Sequence, residues 1–63
     1  MRSRKEILAL LKRLEQALRQ WEIYGEPVEY TDPVYRITIT QSEEHAGIDE
    51  WIRALRWVLG DKV

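Results

Sequence analysis

The chain contains no cysteine, so neither disulfides nor thiolate-bound zinc can hold it together. Its one histidine, His45, can be drawn beside Glu43, Glu44 and Asp49, but a zinc site needs three or four convergent ligands. One His and no Cys also leave no Cys/His pair and a single candidate base for a Ser/His/Asp set. The three glycines stand apart at 25, 47 and 60 and form no phosphate-binding loop. Carboxylates are plentiful, yet they fall in segments that read as solvated, where nothing separates their pKa values for acid–base work. These absences point away from an enzyme and imply no cofactor and no metal. No apolar run approaches the roughly 20 residues of a membrane span. The start, Met1-Arg2-Ser3-Arg4-Lys5, resembles the basic end of a signal peptide, but a charged amphipathic segment follows instead of an apolar one. The expectation is a soluble cytoplasmic domain without a membrane partner or small-molecule substrate.

What remains is 63 residues, enough for one small domain over 1–63. A chain of this size buries only about 60% of its unfolded surface, so it depends on large side chains or on association. Three Trp and three Tyr, with no Phe, suit half-buried and interfacial positions because each joins an apolar body to a polar tip. The net charge of −1 conceals a division: residues 1–24 carry +3, residues 25–50 carry −6, and residues 51–63 carry +2. Such segments can attract one another within the fold or between copies.

Ser3-Arg4-Lys5-Glu6 has the spacing of a capping box. Ile7, Leu11, Leu14, Leu18 and Trp21 follow at steps of four and three, widened by Leu10, Ala17 and Tyr24. Leu8 and Ile23 lie off this stripe. Gly25 stands where a left-handed residue ends a helix, and Pro27 forbids continuation. The pattern predicts a helix over about 4–24, with its apolar stripe facing a core. The period then becomes two. Val28 and Tyr30 share one strand face, and Tyr35, Ile37 and Ile39 another. Thr31-Asp32-Pro33-Val34 reads as the turn of a hairpin over about 26–41, pairing Tyr30 with Tyr35, Val28 with Ile37 and Glu29 with Arg36. The outer face then reads Pro27, Glu29, Arg36, Thr38 and Thr40. A second helix spans about 43–59 with Ser42 as N-cap, or begins near Ile48 with 41–47 as a loop; Gly60 ends it and 61–63 form a tail.

The fold class is therefore α+β, helix-strand-strand-helix, with both helices packed on one face of an antiparallel hairpin. Two strands leave two open edges. Pro27 blunts the first. The second, Val34–Gln41, offers an edge through which two copies could form a four-stranded sheet in a homodimer.

Ser3–Glu6, the heptad spacing ending at Gly25, the Thr31-Asp32-Pro33-Val34 turn, the strand alternation and the absence of Cys together resemble de novo designed α/β mini-proteins. Agreement of local rules with the global pattern is the criterion by which such sequences are made. The resemblance covers the whole chain and rests on generic rules. It implies a stable scaffold or binder. Gln41, His45, Gly47 and Trp57 are less idealised.

Trp57 carries the functional reading. In the second helix the apolar stripe is Ile48, Trp51, Ile52, Leu55, Val58 and Leu59, covering roughly 120° of the wheel. Trp57 lies nearly opposite its centre, with Glu50 and Arg53 as neighbours. Trp and Arg are enriched at binding hot spots. The expectation is a non-catalytic interaction module contacting a protein partner or a second copy through Trp57, Arg53, Ala54 and Glu50. The plainer alternative keeps Trp57 within its own fold, folded over a loop or stacked on Arg53. A different reading, a nucleic-acid-binding protein, would use Arg4, Lys5, Lys12 and Arg19 of the first helix. Against it stand the interleaved Glu6, Glu15 and Glu22 and a pI of about 5.8.

Overall fold

A computed structural model describes residues 3–60. The order is α1 (Arg4–Tyr24), β1 (Val28–Thr31), β2 (Thr38–Gln41) and α2 (Gly47–Leu59). The two strands pair antiparallel, and the helices pack against the hairpin and against each other. The helix-strand-strand-helix architecture read from the sequence is the one observed. The expected tail at 61–63 lies outside the described residues.

α1 begins and ends as its sequence dictates. The Ser3 hydroxyl accepts a hydrogen bond from the Glu6 amide at 3.2 Å. At the other end Gly25 takes φ +67° and donates its amide to the Trp21 carbonyl at 2.8 Å. Leu10, Leu11, Leu14 and Ala17 are buried, with Ile7 and Leu18 partly buried beside them. The stripe stops short of its expected end: Tyr24 is 67% exposed, because the last turn of α1 runs past what the short hairpin can cover.

The hairpin departs from the expected register. Tyr30 pairs with Ile39 and not Tyr35, Val28 with Gln41 and not Ile37, and Glu29 with Thr40 and not Arg36. The cause is the chemistry of Asp32-Pro33. Instead of forming a tight turn, the pair opens one turn of helix-like backbone. The Asp32 carboxylate accepts from the amides of Val34 (3.1 Å) and Tyr35 (2.9 Å), as an N-cap does, and Pro33 occupies the first turn position, where no amide is needed. The Arg36 amide then reaches the Asp32 carbonyl at 2.8 Å. Arg36 takes φ +56°, a left-handed conformation that reverses the chain, and the Asp32 amide closes onto the Ile37 carbonyl at 2.8 Å. The register slips by four residues. Because four is even, Val28, Tyr30 and Ile39 keep the inner face. β2 is correspondingly four residues long, shorter than the expected Val34–Gln41.

α2 starts at Gly47, the later of the two starts the sequence allowed. Its N-cap position is Ala46, whose methyl group cannot cap. Ser42, the expected cap, closes the preceding turn instead: its amide donates to the His45 carbonyl (2.8 Å) and its hydroxyl accepts from the His45 amide (3.2 Å). Buried Gln41 supplies the cap from the strand, its Oε1 accepting from the Asp49 amide at 3.1 Å. Gly47 presses so closely on β2 that a Cβ there would stand 2.5 Å from the Thr40 carbonyl oxygen. An antiparallel bridge between Gln41 and Ala46 completes this return along β2. The outer edge of β2 is thus partly occupied by its own chain, which shortens the edge open to a second copy.

The core is Leu10, Leu11, Leu14 and Ala17 from α1, Ile39 from β2, and Ile48, Ile52 and Leu59 from α2. Two polar links tie the helices. Arg4 donates to the Leu59 carbonyl at 2.9 Å, satisfying one of the last carbonyls of α2, and Arg56 meets Glu15 at 2.6 Å.

Candidate interaction surface

The apolar stripe of α2 divides in two. Ile48, Ile52 and Leu59 are buried. Trp51, expected in the core, is 40% exposed, and Val58 is 58% exposed. The reason is the size of the hairpin. A stripe roughly 120° wide asks for more cover than two four-residue strands and one helix provide, so its outer edge reaches solvent.

Along that edge lies an open groove of about 490 Å³, lined by Ile7, Leu10, Tyr35, Ile37, Trp51, Leu55 and Val58. Tyr35 stands here because the helical turn after Asp32 lifts it from the strand. Its hydroxyl donates to Glu6 on α1 at 3.3 Å. On the other flank of Trp51 is a shallower hollow of about 420 Å³ bounded by Glu50, Trp51 and Ala54. The short Ala54 side chain makes the depression, and the Trp51 ring is a wall common to groove and hollow.

Trp57, one helical turn on from Ala54, is 81% exposed, the most exposed large hydrophobic residue among the described residues. Neither a loop nor another element covers it to any large extent. Glu50, Ala54 and Arg53 are exposed on the same side. Arg53 is drawn toward the start of the helix, where its guanidinium lies 3.2 Å from the Asp49 carboxylate. The fold therefore gathers the four residues singled out from the sequence on one solvent-facing side of α2. It adds Trp51 and Val58, which periodicity had assigned to the core. Their position at the rim of the stripe was the available signal.

A second polar constellation was invisible in the sequence. Asp32 has no exposed surface, and its carboxylate accepts from Arg13 Nε (2.7 Å), Arg13 Nη2 (3.2 Å) and the Tyr30 hydroxyl (2.9 Å) besides two backbone amides. The Arg13 hydrogen bond, opposed by burial and aided by the Tyr35 amide, holds the Asp32 carboxyl down at about 2. Burial, then the bond to Asp32, raises the Tyr30 phenol. Every donor here serves the loop between β1 and β2, so the arrangement is structural.

Among the described residues no group of His, Asp and Glu could hold a metal ion, and no helix is long and apolar enough to cross a membrane. Two of the first helix's bases, Arg4 and Arg13, are engaged within the fold, while Lys5, Lys12 and Arg19 are exposed. No protein-family profile matches the chain, and comparison with curated proteins and with solved structures gives no match.

Proposed function

We propose that the protein is a small non-catalytic interaction module, natural or designed as a binder, whose contact surface is the outer side of α2 centred on Trp57 with Arg53, Ala54 and Glu50. One observation carries the reading: a tryptophan 81% exposed on a regular helix, one turn on from Ala54, which with Glu50 and Trp51 lines an open hollow. A rigid aromatic knob loses little side-chain freedom on docking, and Trp and Arg dominate binding hot spots. Trp51 and Val58 extend the apolar surface, and Glu50 and Arg53 give it a polar rim.

The test is selection of a displayed peptide library against the folded protein, followed by affinity measurement on Trp57→Ala. Binders that lose tenfold or more in affinity support the surface. A selection whose binders are indifferent to Trp57→Ala contradicts it. Far-UV circular dichroism of the variant confirms that the fold is kept.

A further inference from the structure

We infer that the partner this face fits is a second copy of the same chain, docked with the two α2 helices antiparallel about a twofold axis at Ala54. The inference rests on the reading of α2 as an interaction surface. The residues around Ala54 are nearly self-complementary under that axis. Trp51 and Trp57 stand three positions before and after it, and Glu50 and Val58 four before and after. At about 100° per residue, Trp51 and Val58 fall roughly 60° and 40° to one side of Ala54, while Glu50 and Trp57 fall about 40° and 60° to the other. Antiparallel helices related by a twofold axis bring like sides together. Trp51 then meets the partner's Val58, a large side chain against a smaller one. The partner's Trp57 lies level with Glu50 and Trp51, within about 3 Å along the axis, and enters the hollow they form with Ala54. The symmetry repeats each knob-into-hollow contact, as an isologous interface requires.

Ala54 suits the crossing because a small side chain lets two helices approach closely. The surface is also large enough. With about 250 Å² for a whole Trp, the exposed parts of Trp57 (81%) and Trp51 (40%) amount to roughly 300 Å² per copy, before Val58 at 58% is added. Specific interfaces take about a tenth of a small protein's surface, here roughly 500 Å² of 5047 Å². The apolar part of the patch supplies most of that, which fits a weak, concentration-dependent dimer. The charges allow it: the two Glu50 carboxylates lie about 12 Å apart along the axis. The two Arg53 side chains approach at the rim, where each is offset by its own Asp49. Pairing through β2 is disfavoured by comparison, since Ala46 and Gly47 occupy part of that edge.

A chain without cysteine offers a direct test. Ala54→Cys places one thiol on the proposed axis, and Gln20→Cys places one on the exposed side of α1 as a control. Under mild oxidation Ala54→Cys should form a covalent dimer at least tenfold faster than Gln20→Cys, and adding Trp57→Ala should remove most of that advantage. Equal rates for the two thiols, or cross-linking at position 54 that ignores Trp57→Ala, would overturn the self-pairing. Trp57-dependent peptide binding by a strictly monomeric protein would overturn the self-pairing and leave the broader reading standing.

Discussion

Arg13 and Asp32, nineteen residues apart, meet in a two-pronged ion pair, Nε to Oδ1 at 2.7 Å and Nη2 to Oδ2 at 3.2 Å. The carboxylate end has no exposed surface, while 27% of the arginine side chain still reaches solvent. The pair does two jobs. It draws the charge of α1 onto the acidic middle of the chain, and it fixes the loop that sets the strand register. Removing the acid would orphan two loop amides and the Tyr30 hydroxyl together.

Stability should therefore fall in acid through Asp32. Its carboxyl is held at about 2, below the unfolded value of 3.8, chiefly by Arg13. A depressed acid stabilises the fold above the unfolded pKa and loses that stabilisation as pH falls toward the folded one. The contribution is about 2 kcal/mol, complete above roughly pH 5, mostly lost by pH 2 and gone only below it. Urea unfolding at pH 7, 4, 3 and 2 measures it. Asp32→Asn should be less stable at pH 7 and show a shallower decline across this window; an unchanged decline would remove Asp32 from the explanation.

Gly47→Ala should destabilise the protein although Ala is the better helix former by about 1 kcal/mol. The added Cβ would stand 2.5 Å from the Thr40 carbonyl oxygen and 3.2 Å from Ile39 Cγ2. Forcing β2 and α2 apart should cost about 1–3 kcal/mol net, measured by urea unfolding. A stabilised variant would mean that the contact between α2 and β2 is looser than described.

Arg36→Gly should stabilise by about 0.5–1 kcal/mol, because φ +56° is strained for a residue with a Cβ and the loop needs that conformation to reverse. Arg36→Val should cost more than about 1 kcal/mol. Thermal unfolding of both variants checks the pair, and a Val variant more stable than the Gly variant would argue for the tight-turn register, in which residue 36 is an extended strand residue.

Large side chains should sort by cover. Leu14, with no exposure, should cost about 2–5 kcal/mol on truncation to Ala. Trp51→Ala, with 40% of its surface already in water, should cost less than the roughly 3–5 kcal/mol of a core Trp. Trp57→Ala should change monomer stability by no more than about 0.5 kcal/mol. Unfolding at low protein concentration isolates these values from any association. A Trp57→Ala loss equal to that of Leu14→Ala would place Trp57 in the core.

These outcomes trace back to what local sequence can carry. α1, its Ser3 cap and the glycine stops at 25 and 60 were legible because each depends on neighbours three or four residues away. The strand faces were legible because period two survives an even slip. The register was not, because Asp-Pro satisfies both a tight turn and the opening of a helical turn. In the helical turn the Asp32 carboxylate that caps the loop also meets Arg13, a partner on another element that local sequence does not announce. For the same reason Ser42 lost its capping role to Gln41, which reaches the Asp49 amide only after the hairpin has folded. The exposure of Trp51 depends on how little the hairpin covers, a property of the whole fold that the stripe alone does not encode.

On the proposal above, the Trp57 side of α2 is a contact surface that pairs with itself. Sedimentation equilibrium over a wide concentration series tests it most directly. The mass should rise from 7.6 kDa toward twice that value in the wild type, with the rise abolished by Trp57→Ala. A wild type that stays at the monomer mass throughout, or a dimer unaffected by Trp57→Ala, would contradict it.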